Sequence, residues 1–546
     1  MSRSTFLAGA TALSLVSLCG SPAAQFVPWV PGGKKVPTPD PATHVEHEFI
    51  WSYDYEADNG AGTTVMGRVA WPLAPDLWPA GVLPLVLITH GDDASLNSYG
   101  EYDHLLEHFA HNGFIAASID NDNGLSNTER AHRVRVFLDG LRNDWYLKDY
   151  VANNIALIGH SRGGEAVLTA ARLMKDDWGL DHDINAIISL APTDGQGDPG
   201  EPLESLSGTH SPAFLAIYGT HDEDVYGECI DGNGSTCLGD PSGPQRTAFS
   251  LYDRAGTENS TDLGFATSGL VTKSMVYLEG GSHGSWLDTC VFSCVAPQVV
   301  ARAYMNAFLR WQLRGETVYQ PFLEGTTSFP SVEATGAELH HQSARALGRR
   351  VIDNFEGPFW NVATLGSVEN SLRVAVVHKG EGWSHGNYTI PHDTGLMILR
   401  WNASPWLPTP WIRWTILDAH NAFGQSYRNV VPFDHLSLRV GQMHGAPYNA
   451  SEQPLDFSVR LRDESGAWST SASIQDYVDL DYPTEVWVEK FGQDILAPKS
   501  AMETARIPLS AFQGVDLSAI ADIELLFDDA ASSTGEILID SLQFTD

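Results

Sequence analysis

Between residues 45 and 320, short apolar runs alternate with helical patterns. The runs are nearly continuous, which is typical of strands buried on both faces. Strands separated by helices predict a mostly parallel sheet with helices on both faces. The apolar runs are 83–91, 113–122, 154–160, 184–192, 213–222 and 274–281, and the helical patterns are 101–112, 129–143, 164–178 and 297–313.

The pattern changes after about residue 320. Residues 321–350 lack periodicity and predict a linker, and helical patterns nearly vanish from Val351 onward. Apolar and polar residues then alternate, as in "LDFSVRLRD", which is typical of half-exposed antiparallel strands. We therefore expect residues 351–546 to form an all-β sandwich that follows a first domain at 45–320.

Length and charge narrow the function classes. A chain of 546 residues exceeds the size at which single hydrophobic cores stop growing, so two domains are expected. The formal net charge of -36 disfavours nucleic acid and anionic membranes as partners. After the N-terminal region, no segment approaches 18 uncharged apolar residues, so no membrane span is predicted.

The N-terminus has the composition of an export signal. Arg3 precedes an apolar stretch from Phe6 to Leu18, and small residues follow up to Ala24. This pattern predicts a secretory signal peptide at 1–24, and hence a secreted (extracellular or periplasmic) protein. The proline-rich residues 25–44 predict an extended leader.

Four cysteines remain after the predicted cleavage site. An even number in an exported chain favours disulfides, and the close spacings suggest two short loops. The alternative is a metal site, which the absence of a CxxC pair and of histidines at ligand spacing disfavours. The suggested pairs are Cys229 with Cys237 and Cys290 with Cys294.

The segment "GHSRGG", residues 159–164, lies between a predicted buried strand and a predicted helix. It matches G-x-S-x-G, in which a serine occupies a strained strand-to-helix turn and small residues let strand and helix approach. An ordinary glycine-rich turn is the alternative. The flanking elements favour Ser161 as a nucleophile.

A serine hydroxyl needs a base to accept its proton and a carboxylate to orient that base. The next predicted strands end in "GTHDEDV" and "GGSHGSW", so an acid and a histidine follow in the order that this architecture requires. His283 is the candidate base. Asp222 is the preferred acid, and Asp224 is the alternative.

Acyl transfer also requires donors for the developing oxyanion. One candidate is the backbone N–H of Arg162, directly after the serine. The other is the N–H of Asp92, after His90-Gly91. The carboxylates of Asp92 and Asp93 would oppose an oxyanion unless they point away.

Four segments in this order resemble the α/β-hydrolase superfamily over roughly residues 45–320, in particular dienelactone hydrolases, chlorophyllase-like enzymes and cutinase-like polyester hydrolases. They are "THGDDASLNSYGEYDHLLEHFAHNGFIAASIDND", "GHSRGG", "GTHDEDV" and "GGSHGSW". The resemblance implies an eight-stranded, mostly parallel sheet and hydrolysis through an acyl-enzyme on Ser161, with no catalytic cofactor. Dienelactone hydrolases use a cysteine, so the serine favours an esterase. Many lipases and polyester hydrolases have Met or Gln where this chain has Arg162.

The last segment of the chain also resembles a known type of domain. "VIDNFEG", "ARIPLSAFQGVDLSAIADIELLFDD" and "GEILIDSLQF" resemble carbohydrate-binding-type jelly rolls of secreted polysaccharide enzymes. Such domains often hold a structural calcium, for which Asp353, Glu356 and Asp540 are candidates. Tryptophans here could form a sugar-stacking platform or fill the core, and both hypotheses stay open. They include Trp401, Trp406, Trp411 and Trp414.

Together these features predict a secreted serine hydrolase of carboxylic esters with a jelly-roll domain appended. The substrate could be an ester on a polysaccharide, a lipid or a polyester. One alternative is a catalytically inactive hydrolase-fold protein that serves in binding or adhesion. Another is an amidase or peptidase that uses the same residues.

Overall fold

The computed structural model describes residues 38–546 except for a set of short segments and three longer ones. Pro39–Asp546 form one compact unit. The predicted signal peptide, most of the leader and the pair Cys229 and Cys237 lie outside the described residues. The segments left out within 38–546 are 74–81, 93–97, 122, 179–182, 195–211, 226–246, 257–270, 291–293, 347, 358, 382–383, 386–387, 390, 393, 405, 422–423, 451–452, 491–492, 497–499 and 529–531.

A nine-stranded mixed sheet forms the first half of the structure, with strand order β1-β2-β4-β3-β5-β6-β7-β8-β9. Each predicted apolar run contributes one of the parallel strands β3 to β8, whereas β1, β2 and β9 pair antiparallel. Every residue of β4 and β7 is buried, so both faces of the sheet are covered there. The strands are β1 (Ile50–Asp58), β2 (Thr64–Pro72), β3 (Leu83–Thr89), β4 (Ile115–Ile119), β5 (Val151–His160), β6 (Asp183–Leu190), β7 (Ala213–Gly219), β8 (Lys273–Leu278) and β9 (Leu339–Ala344).

The helices of this half begin and end at local signals. Helix α2 starts at Ser126, whose hydroxyl accepts the Glu129 N–H in a capping box, and α5 ends at Gly315 in the left-handed conformation. The helices are α1 (Asp103–His111), α2 (Asn127–Asn143), α3 (Arg162–Arg172), α4 (Ala248–Arg254), α5 (Val295–Arg314), α6 (Gln320–Leu323) and α7 (Pro330–Glu333). Short 3-10 turns lie at Ser98–Tyr102, Leu147–Asp149, His283–Trp286, Thr317–Tyr319, Ile474–Asp476 and Leu509–Ala511, and a π turn at Leu173–Asp177 extends α3.

Residues 321–350, expected as a linker, are instead part of the folded structure. They contain most of α6, all of α7, and β9, which adds a ninth strand to the eight implied by the resemblance. The sequence of β9, "LHHQSA", has almost no apolar alternation. The strand can still be buried because its polar side chains have buried partners. One example is His340, whose Nδ1 lies 2.8 Å from Glu503 Oε1.

The second half is rich in β-strands, as predicted. One antiparallel sheet has the order β13-β16-β25-β18-β23, with β10 also pairing β25, and the other has the order β11-β12-β17-β24-β19-β20. The strands are β10 (Arg349–Asp353), β11 (Val362–Ala363), β12 (Gly366–Asn370), β13 (Val374–Glu381), β14 (Ser384–His385), β15 (Tyr388–Thr389), β16 (Gly395–Asn402), β17 (Trp411–Ile416), β18 (His435–Gln442), β19 (Ser458–Asp463), β20 (Ala472–Ser473), β21 (Trp487–Lys490), β22 (Gln493–Leu496), β23 (Glu503–Pro508), β24 (Ile520–Leu526) and β25 (Thr534–Thr545).

The two large sheets of this half share one hydrophobic core. Leu399 of β16 and Ile539 of β25 lie in the same buried cluster as Trp414 of β17 and Ile523 of β24. Side chains on one face of each sheet therefore meet between them, as alternation along the strands predicts.

The tryptophans of the second half divide between core and surface. Trp401 and Trp414 are 1% and 0% exposed, so they fill the core. Trp411 is half-buried, whereas Trp406 is 89% exposed. Of the four, Trp406 alone presents most of its indole ring to solvent.

Buried polar contacts join the two halves. The guanidinium of Arg439 in β18 lies 2.7 Å from Asp253 of α4 and 2.7 Å from Asp540 of β25. It also donates from Nε to Gln342 Oε1 in β9, at 3.1 Å. His392 Nδ1 lies 2.9 Å from Asp253 Oδ2. The second half is thus fixed against the helix and edge strand of the first.

Candidate active site

Ser161 occupies a strained turn between β5 and α3. Its backbone φ is 57°, in the left-handed region that L-residues with side chains rarely adopt. A Cβ at Gly159 would overlap the Gly163 carbonyl, and a Cβ at Gly163 would overlap the carbonyls of Thr89 and His90. The two glycines are therefore required by the close approach of strand, turn and helix, as the G-x-S-x-G pattern predicts.

The loops that follow β7 and β8 bring an acid and a histidine together. His283 Nδ1 lies 2.9 Å from Asp222 Oδ2 and 3.1 Å from Asp222 Oδ1. The two loops are tied by the His221 N–H, which donates to the Gly281 carbonyl at 2.9 Å. Asp222 is 1% exposed, and its Oδ1 also accepts the Val225 N–H at 2.6 Å. The carboxylate is thus held in one orientation toward the imidazole.

The alternative acid lies on the other side of the same imidazole. Asp224 Oδ2 is 3.7 Å from His283 Nε2, and the Asp224 side chain is 66% exposed. A carboxylate that orients a catalytic base contacts the nitrogen remote from the nucleophile. Asp222 meets that requirement at Nδ1, whereas Asp224 lies beside the nitrogen that would face the serine.

The charges around His283 change its basicity. Burial lowers the pKa of His283, but the charge and hydrogen bond of Asp222, with smaller contributions from Asp224 and Glu223, outweigh it and raise the pKa above its usual value. Raised basicity suits a group that accepts a proton from a hydroxyl.

His160, which precedes Ser161, supports the His283 loop. Its Nε2 donates to the His283 carbonyl at 3.1 Å, and its Nδ1 lies 3.0 Å from the Tyr102 hydroxyl. The His160 and His283 rings are 4.8 Å apart. Burial holds the pKa of His160 well below its usual value, so the ring is neutral and the Tyr102 O–H donates to it. The sequence did not predict a role for either residue, and Tyr102, 58 positions before His160, reaches it only in the fold.

The segment after β3 borders the serine. A Cβ at Gly91 would lie 2.8 Å from Ser161 Oγ, so only a glycine fits there. The next residue is Asp92, the second predicted oxyanion donor. Its carboxylate contacts Arg130 and lies 3.1 Å from Arg162 Nη1. The Asp92 charge is therefore paired with two cations.

Arg162 is the first residue of α3, so its N–H belongs to the free donors at the helix start. Its side chain has a defined partner in Asp92. Arg130, which lies in α2, is a further residue of this region that sequence analysis did not single out.

The predicted disulfide between Cys290 and Cys294 is confirmed. It lies just before α5, which begins at Val295. The predicted pair of Cys229 and Cys237 falls in 226–246, outside the described residues.

The three calcium candidates do not form a cation site. Lys379 Nζ lies 3.0 Å from Asp353 Oδ2, and Arg439 pairs with Asp540. Glu356 Oε1 accepts the Gly395 N–H at 3.0 Å. Over the part of the chain that the structure describes, no group of three or more His, Cys, Asp or Glu side chains could hold a metal ion. Because side-chain cations already pair with two of the carboxylates, these residues do not fit calcium.

Comparison with known proteins covers part of the chain. Residues 73–205 match the Chlorophyllase family. The match includes Ser161 and the segment around Asp92 but ends before Asp222 and His283. No curated protein matched the chain. Among the helices of the described residues, none has the length and apolar composition to cross a membrane. The matched part of this chain is therefore similar to an α/β-hydrolase-type family, the chlorophyllases, which indicates an ester hydrolase of the serine hydrolase type.

Proposed function

We propose that this protein hydrolyses carboxylic esters through an acyl-enzyme on Ser161. The observation that carries the proposal is the contact between Asp222 and His283 beside the strained turn that holds Ser161. A buried acid–histidine pair next to a serine in this backbone conformation has the composition of a nucleophilic catalytic site.

In the proposed reaction, Ser161 Oγ attacks the ester carbonyl carbon while His283 Nε2 accepts the hydroxyl proton. Asp222 stabilises the imidazolium that forms. The N–H groups of Arg162 and Asp92 donate to the oxyanion of the tetrahedral intermediate. The C–O bond to the alcohol then breaks, and His283 returns the proton to the leaving alkoxide. Water, deprotonated by His283, attacks the acyl-enzyme. The bond from the acyl carbon to Ser161 Oγ then breaks, His283 returns the proton to Oγ, and the acid is released.

Turnover of p-nitrophenyl acetate tests this proposal. We expect Ser161→Ala to abolish turnover and covalent labelling by a fluorophosphonate while the circular dichroism spectrum stays that of the wild type. Asp222→Asn should lose most of the rate, and Asp224→Asn serves as the matched control, because it removes a neighbouring carboxylate that does not contact Nδ1. Equal rates for the wild type and Ser161→Ala would refute the proposal and favour a binding or adhesion protein.

The acyl group and the alcohol are the open part of the proposal. A panel of acetyl, feruloyl, long-chain and polyester substrates separates esters on polysaccharides from lipids and polyesters. Anilide substrates test the amidase or peptidase alternative. We expect ester turnover per titrated serine to exceed anilide turnover, and the reverse order would replace the esterase assignment.

We also propose that the second half helps to retain a polymeric substrate, with Trp406 as the contact residue. Its indole is the most exposed of the four candidate tryptophans. The flat face of an exposed indole can stack against a sugar ring or against the ring of an aromatic ester. Retention of the full-length chain on insoluble polysaccharides, with and without Trp406→Ala, tests this.

Export is the proposed location. The N-terminal composition and the Cys290–Cys294 disulfide support it, since disulfides persist in oxidising compartments. Mass spectrometry of the protein recovered outside the cytoplasm should find Gln25 as its first residue. Recovery only in the cytoplasm, with residues 1–24 retained, would refute export.

A further inference from the structure

Arg130 lies within α2, and its side chain is 0% exposed. Nη1 donates to the His90 carbonyl at 3.0 Å and to the Gly91 carbonyl at 3.3 Å, and Nη2 contacts Asp92. Nε lies 3.3 Å from the Leu125 carbonyl. Most contacts of this buried guanidinium are thus with three consecutive residues, 90–92, that border Ser161.

The Gly91 carbonyl has a second donor. His90 Nδ1 lies 2.7 Å from it, and His90 Nε2 accepts the Asn121 N–H at 2.8 Å. His90 Nε2 also lies 3.2 Å from Asp120 Oδ1. Because a carbonyl oxygen only accepts, the N–H at Nδ1 donates to the Gly91 carbonyl. Two donors therefore hold one carbonyl oxygen.

Fixing this carbonyl fixes an N–H. In a planar trans peptide, the C=O of one residue and the N–H of the next point in opposite directions. The Gly91 carbonyl and the Asp92 N–H belong to the same peptide unit. When Arg130 and His90 hold the oxygen on one side, the Asp92 N–H is directed to the other side, away from α2.

The charges of this region are also arranged. The Asp92 carboxylate lies between Arg130 and Arg162, so one negative charge is paired with two positive charges. The three side chains carry a net charge of about +1, because guanidinium groups stay protonated. A net positive group beside Ser161 favours negative charge that develops there.

We propose that Arg130 is a positioning residue of the oxyanion hole: it holds the Gly91–Asp92 peptide so that the Asp92 N–H faces the oxyanion, and it neutralises the Asp92 carboxylate. This inference rests on the proposed esterase function. It gives a catalytic consequence to a residue that lies in a helix and 31 positions before the nucleophile.

The experiment compares Arg130→Met and Arg130→Lys with Arg135→Met in the full-length chain. Arg135 lies in the same helix, but its side chain is 35% exposed and pairs with Asp139. For each variant, a fluorophosphonate titrates the active serines, and kcat per titrated serine and KM are measured with p-nitrophenyl acetate. The affinity for phenylboronic acid, which becomes a tetrahedral anion on the serine, is measured in parallel.

For Arg130→Met we expect kcat per titrated serine to fall about 10- to 100-fold, with KM within about threefold of the wild type. The affinity for phenylboronic acid should fall in the same proportion. For Arg130→Lys, kcat per titrated serine should lie between the values for the wild type and Arg130→Met. An ammonium is a compact charge and cannot reproduce the several fixed N–H donors of a guanidinium. Arg135→Met should match the wild type within about twofold.

A purely structural Arg130 would reduce the fraction of titratable serine and the Tm, but not the rate per titrated serine. A kcat per titrated serine within twofold of the wild type for Arg130→Met overturns the inference. If that variant does not fold, the same result for Arg130→Lys overturns it. A wild-type chain that neither labels nor turns over would remove the proposed function itself, and the inference with it.

Discussion

Arg439 and Asp253 form a buried ion pair between β18 and α4, with Nη2 and Oδ1 2.7 Å apart. The side chains are 5% and 0% exposed. The next residue of α4, Arg254, lies 2.9 Å from Asp194, which follows β6, the neighbour of the strand β5 that leads into Ser161. Helix α4 therefore contacts the second half on one side and the segment beside Ser161 on the other.

Arg439→Met should destabilise the protein by about 3–5 kcal/mol, because it leaves the carboxylates of Asp253 and Asp540 buried without their cation. Urea denaturation followed by fluorescence measures this. Arg135→Met is the control, since the side chains of Arg135 and its partner Asp139 are 35% and 43% exposed, and we expect a loss within about 1 kcal/mol. Equal losses for the two variants would contradict a structural role for the buried pair.

The pH dependence of that loss has a defined sign. Burial raises the pKa of Asp253, but Arg439, His392 and Lys273 outweigh it and the pKa is lowered. A lowered carboxyl pKa stabilises the folded protein above the unfolded pKa, about 3.9, and this contribution is lost as the pH falls through the folded pKa. The difference between wild type and Arg439→Met should therefore be largest near neutral pH and shrink in acid.

The two acids near His283 should differ in their effect on the pH–rate profile. The raised pKa of His283 places the acid limb of kcat/KM above the usual histidine value of about 6.5, because only the neutral imidazole accepts a proton. Asp222→Asn should reduce kcat about 10⁴-fold. Asp224→Asn should keep most of kcat and move the acid limb to lower pH, since it removes a negative charge 3.7 Å from Nε2. The reverse outcome would assign Asp224 as the acid.

Tyr102→Phe should destabilise the protein by about 1–3 kcal/mol, because it leaves Nδ1 of the buried His160 without a donor. His160 contacts the carbonyl of His283, so kcat should fall as well, by less than about tenfold. Tyr53→Phe is the control, since Tyr53 is 37% exposed on the edge strand β1. Stability and kcat for Tyr102→Phe equal to those of the control would show that this contact is dispensable.

Replacing Cys290 and Cys294 by serine together should lower the free energy of unfolding by about 2 kcal/mol, the value expected for a very short closed loop. Alkylation and mass spectrometry of the unreduced wild type should find both thiols blocked. Free thiols at these positions in protein purified without reductant would contradict the disulfide.

Trp401→Ala and Trp406→Ala form a matched pair of substitutions in the same half. Trp401 is 1% exposed, and its loss should cost about 3–5 kcal/mol. Trp406 is 89% exposed, so its replacement should change stability by less than about 0.5 kcal/mol. If the proposed contact with polymer holds, Trp406→Ala alone should reduce retention on insoluble substrate without changing turnover of p-nitrophenyl acetate. Unchanged retention would exclude Trp406 as the contact residue.

The parallel strands were predictable because each is specified locally. A continuous apolar run is stable when both of its faces are buried. Helices between the runs cross over the sheet and return the chain in the same direction, so the strands are expected to be parallel. The glycines around Ser161 are local as well, since a strained turn between strand and helix excludes side chains at those positions. Strand β9 was not predictable, because its polar residues are stable only against partners such as Glu503, more than 150 positions away.

Neighbouring residues and strand ends are enough to predict the α/β class of the first half, the glycine-rich turn at Ser161 and the order in which an acid and a histidine follow it. The folded chain is needed to show that Asp222 rather than Asp224 contacts His283 Nδ1, that Arg130 donates to the Gly91 carbonyl, and that Trp401 is core while Trp406 is surface. Each of these depends on which distant groups meet in space and on which side of a backbone turn a side chain or carbonyl points. Local composition does not specify the partners or the direction, because a short segment with carboxylates or aromatic residues can orient its side chains to either side with similar local energy.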